Sequence, residues 1–169
     1  MERRVLTAAV LVLAGLMAGG VRVQAAGGPK PVSAKKLDAV TSAALEAMKK
    51  RAAELKIGGV AVVAYAEGET IEGWTSKMAV VGRMKDAPTA TEKGNNLLGI
   101  AYAKASEMAE TLKDSGTAGR PPMTGEFGWQ GGVIGRVKGG WVIVAFSGGK
   151  SEDDVEASRA GLAVMKKGL

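Results

Sequence analysis

The chain has 169 residues, 23 basic against 17 acidic, and contains neither cysteine nor histidine. Those absences remove disulfides, thiolate chemistry, zinc–thiolate sites, cysteine-ligated clusters and covalent haem attachment, and with them the usual general base and the commonest metal ligand. A net charge of +6 with scattered lysines and 4% aromatic residues supplies neither a basic stripe for phosphates nor platforms for bases, which excludes nucleic acid as a partner.

The first segment carries an export pattern. Arg3 and Arg4 precede an uncharged apolar run from Val5 to Ala18, and short side chains at Val23 and Ala25 suit a signal-peptidase cleft. The apolar run is shorter than the ~20 residues a membrane-spanning helix needs. Residues 1–25 therefore read as a cleavable signal peptide, with periplasmic or secreted localisation and no membrane attachment after cleavage. The peptide takes Arg3, Arg4, Arg22 and Glu2 with it, leaving 20 basic against 16 acidic residues. Residues 26–35 are a Gly/Pro-rich lead-in, and residues 36–169 are long enough for one domain with its own core.

Ser33 is placed to cap a helix whose apolar stripe runs through Leu37, Val40, Ala44, Leu45, Met48, Ala52 and Leu55. Gly58-Gly59 ends it. Val60 to Tyr65 then reads as a buried strand, and Glu67-Gly68-Glu69 turns the chain into a second strand reaching about Val81. Thr89 and Glu92 have the spacing of a capping box, predicting a second helix with Leu97, Ala101, Ala105, Met108 and Leu112 inward. Gly94 and Gly99 weaken its first half. Residues 115–130 read as a Gly/Pro-rich loop lying over the fold. Val133 to Lys138 and Trp141 to Ser147 flank Gly139-Gly140, predicting a hairpin with a primed turn. Ser151 opens a last helix, with Glu152, Asp153 and Asp154 at its positive dipole end and Val155, Ser158, Leu162 and Met165 inward. The order α-β-β-α-β-β-α predicts an α+β domain with an antiparallel sheet and helices packed on it.

Gly148-Gly149-Lys150-Ser151 lies between a strand and a helix, where a phosphate-binding loop would be. The pattern needs glycine at position 144, which is Val144, and the following acids repel phosphate. A turn and helix cap account for it, and an NTPase is excluded.

From about residue 36 to 167 the chain resembles the GlcG/HbpS-like haem-binding proteins, also called the haem-degrading domain family. The resemblance rests on Gly131-Gly132-Val133-Ile134-Gly135 through Val142 to Gly148, on Glu152-Asp153-Asp154, and on Ala160-Gly161-Leu162. Further matches are the opening helix running into Val60–Val63, Arg83 to Ala87, and Lys104-Ala105. It implies a profilin-like antiparallel β-sheet flanked by helices, assembly into homo-oligomers, and, for several members, non-covalent haem binding. The chain departs from the family pattern at Ala64, where an acidic residue usually ends the first strand, and in having no histidine.

With haem as the implied cofactor, the axial candidates are Tyr65, Tyr102, Met84 and Met123, since tyrosine and methionine both ligate haem iron. Arg83 and Lys104 are the candidate partners for its propionates. Each has a plain structural alternative: Tyr65 as a packed aromatic, Arg83 and Lys104 as salt-bridge residues, Phe127 and Trp129 as a cover for a ligand or for a subunit interface. If Arg83 and Tyr102 are functional, they are expected to line one pocket with the 123–130 loop.

Three functions follow in order. The first is an exported small-ligand-binding protein for haem or another tetrapyrrole. The second is a cofactor-free oligomeric accessory protein that meets a periplasmic redox or other partner through the 115–130 loop. The third is an enzyme degrading haem or acting on a small organic acid. Asp86, Glu126 and Asp154 are available carboxylates, but no spacing pairs two of them, so no catalytic residue is assigned, and the metal ligand stays open.

Overall fold

The computed structural model describes residues 31–169; the expected signal peptide and the start of the lead-in lie outside the described residues. Helix α1 spans Ala34–Glu54, and strands β1 (Gly59–Glu67) and β2 (Thr75–Val81) follow. A short ribbon of β3 (Lys85–Asp86) and β4 (Asn95–Asn96) leads into α2 (Leu97–Thr111). After the long loop come β5 (Gly132–Val137), β6 (Gly140–Ser147) and α3 (Ser151–Gly168). Four strands form one antiparallel sheet in the order β2-β1-β6-β5. The expected α+β architecture is the one observed.

The two central strands explain the unbroken apolar runs in the sequence. Strand β1 is buried at every residue but Glu67, because helices cover both faces of the sheet. Ala61, Val63 and Tyr65 join Val142, Val144 and Phe146 on the face covered by α1 and α3, through Leu45, Met48 and Met165. Val60, Val62, Ala64, Ile143 and Ala145 point the other way and pack on Leu97, Ala101, Ala105 and Met108 of α2. Burying each such valine stabilises the fold by about 1.5–3 kcal/mol relative to leaving it in water.

Local signals hold at the start of α1 and shift at other element ends, including α3, whose N-cap is Lys150 without a side-chain cap rather than Ser151. Ser33 caps α1 by accepting the Lys36 N–H at 3.3 Å. The second helix starts later than its capping-box spacing predicts. Thr89 Oγ1 does accept the Glu92 N–H at 3.0 Å, but Gly94 takes φ +73° and ends that turn. The helix begins instead at Leu97, with Asn96 accepting the Gly99 N–H at 3.0 Å. Leu112, expected inward, is the left-handed C-cap at φ 54° and is exposed. In the hairpin the link is Lys138-Gly139 rather than Gly139-Gly140, since Val137 pairs with Gly140. Gly139 alone has positive φ there, so the turn is not the primed type I, which needs two such residues. Gly140 belongs to the strand, where a Cβ would come within 2.1 Å of the Ala66 carbonyl oxygen.

Candidate functional site

One end of the sheet gathers most of the sequence-predicted polar residues. There β1 begins beside the end of β6 so closely that a Cβ on Gly148 would lie 2.2 Å from the Gly58 oxygen. Arg83 follows β2 and closes this junction. Its Nη1 donates to Gly58 O and its Nη2 to Gly148 O, both at 2.7 Å, while Nε donates to Asp86 Oδ1 at 2.7 Å. Asn95 donates to the other Asp86 oxygen at 3.0 Å. The Arg83 guanidinium, then the Asn95 amide, hold the Asp86 carboxyl below its ordinary range.

The β3–β4 ribbon turns this junction into a groove. Arg83 to Asp86 on one side and Lys93 to Asn96 on the other enclose a cavity of about 800 Å³, open to solvent. Leu97 N–H donates to Met84 O at 3.1 Å, which joins the floor of the groove to the start of α2. The Met84 side chain is 45% exposed, and Lys85 and Lys93 are exposed beside it with no hydrogen-bond or ion-pair partner among the described residues.

A smaller pocket of about 150 Å³ adjoins the groove across Asp86 and Asn95. Trp129 and Gln130 of the long loop line it, with Gly148, Gly149 and Ser151 opposite and Lys104 and Asp154 at its base. Lys104 comes from α2 and Asp154 from α3, so the two meet around the sheet from its opposite faces. They meet where β5 has not yet begun: a Cβ on Gly131 would lie 2.2 Å from Lys104 Nζ. The ammonium donates to Asp154 Oδ2 at 2.9 Å and to Phe146 O at 2.8 Å, and Gly149 N–H donates to Asp154 Oδ1 at 2.8 Å. Both side chains are almost fully buried, at 3% and 4% exposure. Loss of water is the largest influence on each, drawing the lysine down and the aspartate up from their ordinary values against their mutual attraction.

The predicted site residues therefore separate. Arg83 and Met84 line the groove. Lys104 lies at the base of the adjoining pocket, and its ammonium is engaged by Asp154 and Phe146 O, which makes it the salt-bridge residue of the structural alternative rather than a free propionate partner. The same correction applies to the Arg83 guanidinium, whose three nitrogens each face a protein oxygen. Tyr65 is buried among the α1 and α3 contacts and donates to Gly139 O at 3.2 Å. Tyr102 packs on the opposite face of the sheet, its hydroxyl 3.2 Å from Ser76 Oγ near the far end of β2. Met123 is exposed in the loop and lines neither cavity. Arg83 and Tyr102 do not share a pocket: the loop reaches the small cavity through Trp129 and Gln130, and Tyr102 lies outside it.

Sequence reasoning missed Lys85, Lys93 and Asn95 as groove residues, because a two-residue ribbon leaves no periodic signal. It also read Asp154 only as an acid at the positive end of a helix dipole and an available carboxylate, without its lysine partner. A signal existed for Lys104, which falls between Ala101 and Ala105 on the apolar face of α2, where a lysine requires a buried partner.

No protein-family model matches the chain, and no curated protein matches it. Among solved structures, the PduOC:heme complex is similar, with 17% identity and a TM-score of 0.50 over 80% of this chain and 95% of that one. At that identity the likeness is one of fold: an antiparallel sheet flanked by helices. No helix among the described residues is long and apolar enough to cross a membrane.

Proposed function

We propose that this protein binds haem or a related tetrapyrrole non-covalently, as a GlcG/HbpS-like protein. The observation that carries the reading is the groove at the β3–β4 ribbon, which brings an exposed thioether and two free ammonium groups to one open cavity. Its volume of about 800 Å³ is within the range of ~300–1,000 Å³ usual for small-molecule and cofactor sites. A flat macrocycle with two propionates needs apolar contact, cations and an axial donor. Lys85 and Lys93 supply the cations and Met84 the sulfur, an attested iron ligand. Arg83 acts as a positioning residue that holds the ribbon against the sheet. Haem bound there would supply iron-centred ligand exchange or electron transfer, and the residues present serve to hold and orient it. The fold likeness to a protein crystallised with haem supports the same reading. Export to the periplasm or beyond, supported by the sequence of Met1 to Ala25, and assembly into a homo-oligomer belong to this proposal.

The test is a hemin titration followed in the Soret region. A saturable, stoichiometric band is expected. Met84→Ala should shift or abolish that band, and Lys85→Ala with Lys93→Ala should weaken binding by about tenfold, through loss of two charge-assisted contacts. A featureless titration, equal to that of an unrelated protein of similar charge, rejects the reading.

One observation favours the accessory-protein reading as a second. Phe127 and Trp129 are both about half exposed, with ring centroids 4.9 Å apart. Arg120 braces their loop by donating two hydrogen bonds to the Glu126 carboxylate. Exposed aromatics on a rigid loop suit a partner protein. A Trp129→Ala variant that keeps its Soret titration but loses a co-purifying partner would favour this reading.

A further inference from the structure

A third cavity lies away from the groove, between the C-terminal half of α2 and the loop from Gly116 to Gly128, with a volume of about 290 Å³. Glu107 forms its deep wall and is 2% exposed. Its Oε1 accepts the Gly116 N–H at 2.8 Å. No donor among the described residues reaches Oε2. Since no enclosed side-chain oxygen or nitrogen lacks a partner among the described residues, that oxygen opens onto the cavity. An accessible carboxylate oxygen on an otherwise buried side chain offers its acceptor to whatever enters the cavity, and to a charged donor most of all.

We propose that this cavity is a binding site for a small primary amine in its ammonium form. The charge around it favours a cation. Glu107 and Glu126 line it together with Arg120, whose Nη1 and Nη2 donate to the two Glu126 oxygens at 2.7 and 2.9 Å and whose Nη2 donates to Glu110 Oε2, one contact further out, at 2.6 Å. Lys113, on the rim, donates to Ala118 O at 3.3 Å. Three carboxylates therefore stand against two cations, and the arginine's own charge is already countered. An anion would meet the Glu107 and Glu126 carboxylates in the wall, while the Arg120 Nη donors and the Gly116 N–H are already engaged. A divalent metal lacks ligands, since the described residues hold no group of three His, Cys, Asp or Glu side chains suited to one. An ammonium brings three donors on a compact charge: one meets Glu107 Oε2, and Glu126 Oε1, which accepts one bond, retains acceptor capacity. Pro121 and Pro122 give the remaining wall apolar surface for a short alkyl tail.

Propylammonium chloride is the probe, titrated into ¹⁵N-labelled protein, with n-propanol, sodium propionate and magnesium chloride as parallel titrants. Saturable amide shifts confined to Gly116, Gly119, Gly128 and their neighbours are expected with propylammonium alone. In Glu107→Gln the side-chain carbonyl still accepts from Gly116 N–H, so the spectrum should be retained while affinity falls by about tenfold or more. Ala118→Leu, which fills the cavity without touching its charge, should abolish the shifts and serves if the glutamine variant does not fold. Linear, unsaturated shifts, equal affinity in Glu107→Gln or in Ala118→Leu, or saturation by propanol, propionate or magnesium instead, overturns the proposal. The outcome does not depend on whether hemin binds at the groove.

Discussion

Two cation–carboxylate pairs hold the same end of this sheet, and they differ in what surrounds them. Lys104–Asp154 joins α2 to α3 at 2.9 Å with both side chains sealed from water. Arg83–Asp86 joins the end of β2 to the ribbon at 2.7 Å with side chains 43% and 35% exposed. The bond lengths are alike, so burial is what separates them. In the sealed pair neither partner can turn to water if the other is lost, which makes the contact nearly indivisible. In the open pair each partner has solvent as an alternative, and the arginine's value lies in the two carbonyls it also ties together. The same end of the fold thus combines a rigid base with a wall that solvent and ligands can reach.

The sealed pair should give the largest response. Asp154→Ala leaves an ammonium buried without its counter-charge and is expected to cost about 3–5 kcal/mol in urea unfolding. Replacing both partners, Lys104→Met with Asp154→Leu, should recover most of that loss. A double variant as unstable as the single one would show that the backbone contacts of Lys104 and Asp154, rather than their charges, hold the junction.

The open pair should respond less. Arg83→Ala removes three hydrogen bonds, yet solvent screens the charge, and a loss of about 1 kcal/mol is expected. Arg83→Lys keeps a cation for Asp86 but cannot span Gly58 O and Gly148 O together, so it should behave like the alanine variant. If lysine restores full stability, the charge matters more than the fork, and the contrast drawn between the two pairs weakens.

The smallest effect is a titration. The Arg120 guanidinium, then the Met123 N–H, hold the Glu126 carboxyl at about 2 against an ordinary 4.5. A depressed folded value means that its contribution is present above pH 4.5 and is lost as the pH falls through about 2. Carboxyl NMR should find that midpoint, and Arg120→Ala should raise it toward 4.5 while leaving the sheet resonances in place. A midpoint that does not move would detach the loop's order from Arg120.

How far the sequence could be read depends on the length of each signal. Long periodic segments were legible: the α1 stripe and the apolar run of β1 stand where patterning put them, and the β5–β6 hairpin does so with its link shifted by one residue. Short or two-partner features were not. Thr89 and Glu92 do form their capping contact, but it closes a turn, because Gly94 diverts the chain before a helix can follow. The groove escaped notice since Lys85 and Asn96 pair over only two residues per strand. Among the candidate site residues, chain position alone could not separate Met84, which lines the groove, from Tyr65 and Tyr102, which pack on opposite faces of the sheet.

By itself, then, the sequence determined the order of helices and strands, the side of each that is apolar, and the chemistries closed to a chain without histidine or cysteine. Only the tertiary structure decided which polar groups are buried together. Lys104 and Asp154 are 50 residues apart in the chain, and Glu107 faces a loop whose shape depends on Arg120. Periodicity is a local property and records the face an element turns to the core. Whether a charge on that face is stranded, paired or aimed into a cavity depends on residues brought there from elsewhere by the packing of the whole domain.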